Sequence, residues 1–386
     1  MLDQFSDPGG AQQGLVELLG EVRERGGQAL VGLPGDGPVF ERVRALGFET
    51  ARIECGPYGS GRKSIADVGR FLWQMPRLGR QIREIAREWR ADLIYVNGPR
   101  LLPAIPTGGP VVFHAHSYLA PGAIRHLAGR ALRRTEAHII ANCEFVAGAW
   151  RGYVPAERVS VIYNGVDGGA IRRPGPAAGA GPAVVACIGR IAPEKGQLDF
   201  VAVAARIHRE LPEVRFRIVG APLFGDRRAA RYHAAVRAAA VGLPIEFAGW
   251  VEDAGHAFAR IDLLLAPCAA HEATTRVIFE AYAAGVPAIA FPSGGIPEVV
   301  EDGVTGRLAG SAEEMAGQAI ELLRDAGRRG ELAQAARECW QRRFTPERRR
   351  RELWRALECA AGDGRARRRP AREEPRPSMS SHSPRG

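Results

Sequence analysis

Twice along these 386 residues, short apolar runs rich in Val and Ile alternate with stretches whose apolar residues recur every three to four positions. The first series reads QALVGLP, DLIYVN, PVVFHAH, HIIAN and RVSVIYN, interleaved with AQQGLVELLGEVRERG and GRQIREIAREWR. The second begins afresh after residue 180 with AVVACIG, then RFRIVG, IEFAGW, DLLLAP and PAIAFPSGG, with helical patterns over 197–210 and 227–241. Strands alternating with helices predict parallel sheets covered on both faces, because each parallel crossover carries a helix over the sheet. Two series predict an α/β chain of two Rossmann-like domains, 1–168 and 183–343. A ligand then belongs in the cleft between them, lined by the carboxyl ends of the strands.

The joints follow from composition. GGAIRRPGPAAGAGPA is aperiodic and rich in Gly, Pro and Ala, so 169–182 reads as a linker. A last helix is expected over 344–361, with the option of packing back on the first domain. Beyond it, 362–386 is a Pro/Arg/Ser tail without apolar periodicity, read as a disordered basic end. At the other end only MLDQFS precedes the DPGGA turn, and Met1, Leu2 and Phe5 are its apolar residues. The opening strand is therefore stunted, or the recorded start lies downstream of the true one; the second reading is preferred.

Composition excludes several classes. No apolar run approaches the ~18 residues of a spanning helix, and no signal peptide opens the chain. Residence in the cytoplasm is expected, with peripheral contact at the inner face of the membrane as an option. The six cysteines (Cys55, Cys143, Cys187, Cys268, Cys339, Cys359) are scattered without a CxxC, which predicts reduced thiols and neither a zinc site nor a disulfide framework. The net charge of +10 favours anionic partners. No element interleaves basic and aromatic residues as a nucleic-acid surface does, so no nucleic acid is expected. The stretch RFLWQMPRLGRQIREIAREW, 70–89, mixes apolar residues with many arginines. It reads as a helix packing on the first sheet, or as one docking on an anionic leaflet.

Two motifs carry chemistry. In GRIAPEKG, Gly189 turns the chain at a strand's end, and Arg190 and Lys195 bring two cations to a helix N-terminus that already favours anions. An Arg fork and a Lys point charge suit a diphosphate. In HEATTRVIFE, Glu272 sits on a loop and Glu280 eight positions later on the helix that follows. Eight helical residues span ~12 Å, whereas the carboxyl pair of a glycosidase lies roughly 5–9.5 Å apart. The spacing suits two separate contacts on one elongated, hydroxyl-rich ligand.

Together GRIAPEKG, FAGWVED, HEATTRVIFE, AYAAGVPAIAFPSGGIPEVVEDGVTGRL and VIYNGVD resemble the family 4 glycosyltransferases, retaining enzymes of the two-domain GT-B fold. The resemblance runs to about residue 360 and is densest over 184–308. It implies that Arg190 and Lys195 grip the nucleotide diphosphate, that Glu272 binds donor-sugar hydroxyls, and that Glu280 binds the ribose. It further implies that Trp250 and Val251, after Gly249, line the base, and that Gly9 and Gly10 form the turn that approaches the phosphates. His116, ending PVVFHAHS, matches the histidine that faces the reacting sugar, and His114 shares its strand face. Thr274, Thr275 and Arg276 open the helix that faces the diphosphate. The implied donor is a UDP- or GDP-sugar, and the acceptor a glycan, lipid-linked or small-molecule hydroxyl. No cofactor and no metal are expected, since there is no Asp-x-Asp motif and the His-x-His pair lacks further ligands. Ala273-Thr274-Thr275 departs from the family's usual Gly-Phe-Gly or Pro-Phe-Gly, and Cys268 stands for a common Ser. The threonines reach the ligand or cap the helix. The rival readings are a nucleotide-sugar epimerase on a similar fold and a non-enzymatic basic nucleic-acid binder.

Overall fold

The computed structural model describes residues 1–7, 9–56, 65–168, 181–222, 227–251, 254–269 and 271–368. Most of the expected linker, 169–180, and the end of the expected tail, 369–386, lie outside the described residues.

The first unit runs β1 (Leu2–Asp3), α1 (Gly10–Glu24), β2 (Leu30–Leu33), α2 (Pro38–Ala45), β3 (Glu49–Arg52), α3 (Ile65–Glu88), β4 (Ile94–Asn97), β5 (Val111–Ala115), α4 (Ala123–Thr135), β6 (His138–Ala141), α5 (Glu144–Gly148) and β7 (Val159–Val161). Its seven strands are parallel in the order β3-β2-β1-β4-β5-β6-β7. Short as it is, β1 holds the centre, Leu2 pairing with both Gly32 and Val96. Successive residues of a strand feed opposite faces. Tyr95, Val112 and Ile140 meet Leu15, Leu18 and Phe40 of α1 and α2, whereas Val96, Phe113 and Ile139 meet Leu78, Ile82 and Leu132 of α3 and α4. The arginine-rich α3 thus packs an apolar stripe on the sheet, yet Trp73 stays 61% exposed with the Arg77 guanidinium 3.9 Å above its ring centre.

The second unit runs β8 (Val184–Ile188), α6 (Gln197–Glu210), β9 (Arg215–Val219), α7 (Arg227–Ala239), β10 (Ile245–Gly249), α8 (Ala254–Phe258), β11 (Leu263–Ala266), α9 (Arg276–Ala284), β12 (Ala288–Ala290), β13 (Gly306–Leu308), α10 (Ala312–Arg324), α11 (Ala326–Arg343) and α12 (Pro346–Arg368). Six parallel strands follow the order β10-β9-β8-β11-β12-β13. One face carries Phe200 and Ile207 of α6 with Met315 of α10; the other carries Ile278, Phe279 and Tyr282 of α9 with Ala336 and Cys339 of α11.

The chain passes between the units side by side with itself: Val166 N–H donates to Phe344 O at 3.0 Å, and Trp340 Nε1–H to Val166 O at 3.0 Å. After that crossing α12 returns to the first unit, burying Leu353, Leu357 and Ala360 against Leu15, Tyr95 and Ile162. The helix continues to Arg368, which corrects the expected disorder from 362. Ala and Arg are strong helix formers, and one face of α12 is already anchored for several turns. Among the described residues no helix is long and apolar enough to cross a membrane.

Candidate active site

The loop after β8 is shaped by glycines. Gly189 has φ 144°, and a Cβ on Gly220 would lie 1.9 Å from its carbonyl oxygen. Pro193–Lys195 form a 3-10 turn that closes on Gly196, with φ 71°. A Cβ on Gly196 would come within 1.9 Å of Pro267 O, so the turn docks against the end of β11 only as glycine. There Lys195 Nζ donates to Glu272 Oε2 at 2.9 Å, with the side chains 20% and 17% exposed. Burial alone would lower the Lys195 pKa, but the charge and hydrogen bond of Glu272, with Cys268 adding to them, together outweigh it and hold the ammonium above its usual range. Arg190 pairs with Glu194, four residues on, and its carbonyl accepts from Gln197 Nε2 at 3.0 Å.

Glu272 is fixed by its backbone as well. Gly295 N–H donates to Glu272 O at 3.0 Å, and a Cβ added to Gly294, whose φ is 56°, would lie only 1.7 Å from that oxygen. The PSGG turn therefore buttresses the HEATT loop directly. Thr275 is the N-terminal cap residue of α9 by backbone, but its side chain makes no capping bond and instead meets Cys268. Thr274 is buried, and its hydroxyl has no hydrogen-bond partner. The capping alternative for these threonines is thereby corrected: the Thr275 hydroxyl is engaged at Cys268, and the Thr274 hydroxyl makes no bond. Farther along α9, Glu280 Oε1 accepts from Arg276 Nε at 3.1 Å. Burial raises the Glu280 pKa, and Arg276 opposes that rise. Each glutamate thus has its own cation. Trp250, after β10, is 53% exposed, and Val251 beside it is half-buried.

On the first unit, β5 delivers His114 and sets His116 just past its end, with rings stacked at 3.9 Å. His114 Nδ1 meets the Tyr95 hydroxyl. His116 Nε2 lies 2.6 Å from Asn97 Oδ1. The Asn97 amide nitrogen faces the Asp3 carboxylate and Ala11 O, so its oxygen is what faces the histidine. Hence Nε2 carries the proton and Nδ1 offers a lone pair. Burial, aided by the Arg349 charge, pushes the His116 pKa down to about 3, and His114 also falls well below its usual value. Beneath them Asp3 accepts from Gln12 Nε2 at 2.9 Å and Phe5 N at 2.9 Å. Its burial nevertheless raises the carboxyl to about 6. Gly9 caps α1 and Gly10 begins it; a Cβ on Gly9 would meet Gln12 Oε1 at 2.7 Å.

The two units touch where these loops meet. Cys143 Sγ donates to Ala273 O at 3.3 Å. Glu298, past the PSGG turn, accepts from Glu144 N and Phe145 N, each at 2.7 Å, and from Tyr163 OH at 2.8 Å. Tyr118 stacks on Phe145 and on His271, at 4.6 and 5.0 Å between ring centres. The carboxyl ends of both sheets therefore converge on Glu272. Among the described residues no three His, Cys, Asp or Glu side chains gather as a metal-ligand set.

Comparison with known proteins falls in line with this geometry. Residues 8–168 match the model of Glycosyltransferase Family 4, and residues 182–325 match that of Glycosyl transferases group 1. The chain belongs to the family 4 glycosyltransferases. It is 30% identical over 268 residues to the D-inositol 3-phosphate glycosyltransferase of Segniliparus rotundus, covering 61% of this chain and 59% of that protein. It is 33% identical over 206 residues to a GDP-mannose-dependent alpha-(1-6)-phosphatidylinositol monomannoside mannosyltransferase of Mycobacterium tuberculosis, covering 48% and 51%. It thus spans little more than half the length of these curated relatives. Among solved structures, Anabaena HepE in complex with UDP and glucose superposes with a TM-score of 0.75 at 27% identity, covering 92% of this chain and 98% of that one. The fold is GT-B.

Within this family 4 chain, the residues singled out in the sequence fall on the loops after β1, β5, β8, β10 and β11 and on α9. Lys195 and Glu272 are in contact; Arg276 and Glu280 are in contact; His116 stands on the opposite unit, and Trp250 lies beyond β10. Sequence reasoning passes over Asp3, Asn97, Glu17, Arg349 and Glu298. A signal exists for Asn97, which ends the strand run DLIYVN as His116 ends its own.

Proposed function

We propose that the chain is a retaining glycosyltransferase that moves a sugar from a nucleoside-diphosphate donor to a hydroxyl of a glycan, lipid-linked or small-molecule acceptor. The observation that carries this reading is the half-buried Lys195–Glu272 pair, a cation and a carboxylate joined where the loops after β8 and β11 meet. Lys195, with Arg190, offsets the charge that grows on the departing diphosphate, and preorganised charge of this kind is the largest contribution to such transfers. Glu272 accepts hydrogen bonds from donor-sugar hydroxyls, Glu280 from the ribose, and Trp250 with Val251 flanks the base. Gly9, Gly10, Gly189 and the α9 start at Thr274, Thr275 and Arg276 approach the phosphates through backbone N–H groups. The positive charge required comes from side chains and helix ends, so the reaction is written without a metal. UDP-linked sugars are the first donors to test, because HepE, 27% identical over 92% of the chain, was crystallised with UDP and glucose. Peripheral contact with an anionic leaflet belongs to the same proposal: exposed Trp73 under Arg77 supports it, since an aromatic ring backed by cations suits a lipid interface.

A thermal-shift screen against UDP-, GDP- and ADP-sugars tests the reading, since a ligand of the native state raises the melting point by mass action. One donor class is expected to stabilise the chain and to yield an α- or β-linked product of unchanged anomeric configuration by NMR. Stabilisation by none of them refutes the proposal. Co-sedimentation with phosphatidylglycerol vesicles at low salt tests the membrane contact, which fails if the chain stays in the supernatant.

A further inference from the structure

One carboxylate on the first unit gathers helices from three parts of the chain. Glu17 lies on α1, two turns past Gly10. Its Oε1 accepts from Arg276 Nη1 at 3.4 Å, at the start of α9, and from Gln13 Nε2 at 3.2 Å. Its Oε2 accepts from Arg349 Nη1 at 2.9 Å, on the returning helix α12. Arg349 is only 6% exposed, and it is close to His116: a Cβ on Gly14 would lie 3.1 Å from its Nη2 and 3.6 Å from the His116 ring. Arg276 in turn donates through Nε to Glu280. The result is an alternating chain, Glu280–Arg276–Glu17–Arg349, which runs from α9 on the second unit to the surroundings of His116 on the first. Its formal charges cancel, two carboxylates against two guanidinium groups.

A carboxylate on α9 with a single guanidinium neighbour would be free to rotate with it. Here that guanidinium is forked between Glu280 and Glu17, so the rotamer of Glu280 is set from the opposite unit. We infer that Glu17 is a positioning residue of the donor site: without touching the donor, it holds Glu280 through Arg276 and keeps the buried Arg349 neutralised next to His116. This rests on the reading that Glu280 holds the donor ribose. It adds that the placement of Glu280 on the second unit depends on a contact made with the first.

Substitution can separate the two roles of Glu17, toward Arg276 and toward Arg349. In Glu17→Gln the fork loses its charge, and Arg349 is left buried without a counter-ion. Adding Arg349→Met removes that orphan cation while leaving α12 an apolar side chain of similar length. The melting temperature is therefore expected to fall in Glu17→Gln and to recover in Glu17→Gln/Arg349→Met. Donor affinity is expected to fall about tenfold in both, equivalent to ~1.4 kcal/mol, with KM affected more than kcat. Glu17→Gln added to Arg276→Gln is expected to change affinity no further, because the two residues act as a unit.

The measurement is calorimetric titration with UDP, GDP and ADP of the full chain and these variants, with Glu280→Ala alongside. Loss of affinity in Glu280→Ala but not in Glu17→Gln overturns the inference and leaves the ribose reading standing. Unchanged affinity in Glu280→Ala overturns the ribose reading itself, as does failure of all three nucleotides to bind the wild type. Recovery of affinity together with the melting temperature in the double variant reduces Glu17 to a folding residue, and also overturns the inference.

Discussion

Lys195→Ala separates what the Lys195–Glu272 pair does for the fold from what it does for the reaction. Losing one partner of a buried ion pair costs about 3–5 kcal/mol, because the other charge is left without compensation. Here both side chains keep about a fifth of their surface in water, which lets solvent relieve part of that penalty. A loss of about 2 kcal/mol is expected. For a unit of this size each 1 kcal/mol moves the melting point by about 2–4 °C, so calorimetry should register a fall of roughly 4–8 °C. Turnover should fall much further: removing one preorganised charge at a developing anion costs about 10²–10³ in kcat. Glu272 holds the Lys195 pKa above its ordinary value. The stability from that pair is then fully present below the unfolded lysine's pKa and is lost only as pH rises through the folded one. Both effects should therefore be flat across neutral pH and fade only in strong alkali. Single-turnover kinetics at saturating donor, paired with calorimetry, read both quantities. A Lys195→Ala protein that melts several degrees lower but keeps kcat within about threefold of wild type would refute the leaving-group role.

Three other substitutions probe the surroundings of the site. Asp3, whose carboxyl is raised to about 6 by burial, binds its proton more tightly folded than unfolded, so stability should decline by roughly 2–3 kcal/mol from about pH 4 to pH 6; Asp3→Asn should abolish that decline in paired urea titrations. Glu298→Ala strips the acceptor from two backbone N–H groups of α5 and from Tyr163 OH. A loss of about 2–4 kcal/mol is expected, with faster hydrogen exchange over 144–148; Glu298→Gln should retain part of the protection. Gly294→Ala drives a methyl group toward Glu272 O from a left-handed backbone. Donor affinity should collapse more than stability, and titration calorimetry of a folded, monodisperse sample checks this.

The architecture is legible because its signals are local. AVVACIG or PVVFHAH announces a buried strand by itself, and GRIAPEKG carries in eight letters the glycines that its turn requires. The same holds for the loop and helix that bear Glu272 and Glu280. What a linear pattern does not supply is pairing across long separations. Lys195 and Glu272 are 77 positions apart, Asp3 and Asn97 are 94, Glu144 and Glu298 are 154, and Glu17 and Arg349 are 332. On an amphipathic helix such as α1, Glu17 has the look of any solvated glutamate until α9 and α12 arrive beside it. The reach of α12 escapes the sequence for a related reason. Its Gly- and Arg-rich end has no apolar stripe of its own, and the anchor that lets it continue lies on the first unit. The threonines of HEATT look like caps because threonine is favoured just before a helix, whereas the Thr275 hydroxyl meets Cys268, seven positions earlier, and makes no first-turn bond.

The protonation states at the site bear on how the proposed transfer disposes of the acceptor's proton. A general base works best when its pKa lies near the working pH, and His116, pushed down to about 3, is too weakly basic for that task. Its Nε2–H is committed to Asn97, so what it offers is the Nδ1 lone pair, a neutral acceptor suited to a sugar hydroxyl. Glu272 is engaged by Lys195 at 2.9 Å, and taking a proton would forfeit that ion pair. Glu280 stands with Arg276 at another turn of α9. Asp3, raised to about 6, is fully buried and already accepts from Phe5, Gln12 and Asn97. With these candidates so committed, the group best able to take the proton is the departing phosphate oxygen, which gains basicity as its bond to the sugar lengthens. That oxygen sits on the face it leaves from, so the acceptor enters on the same face and the anomeric configuration is kept. Retention in this reading follows from a site whose described carboxylates and histidine are already engaged, which leaves the proton to the departing phosphate.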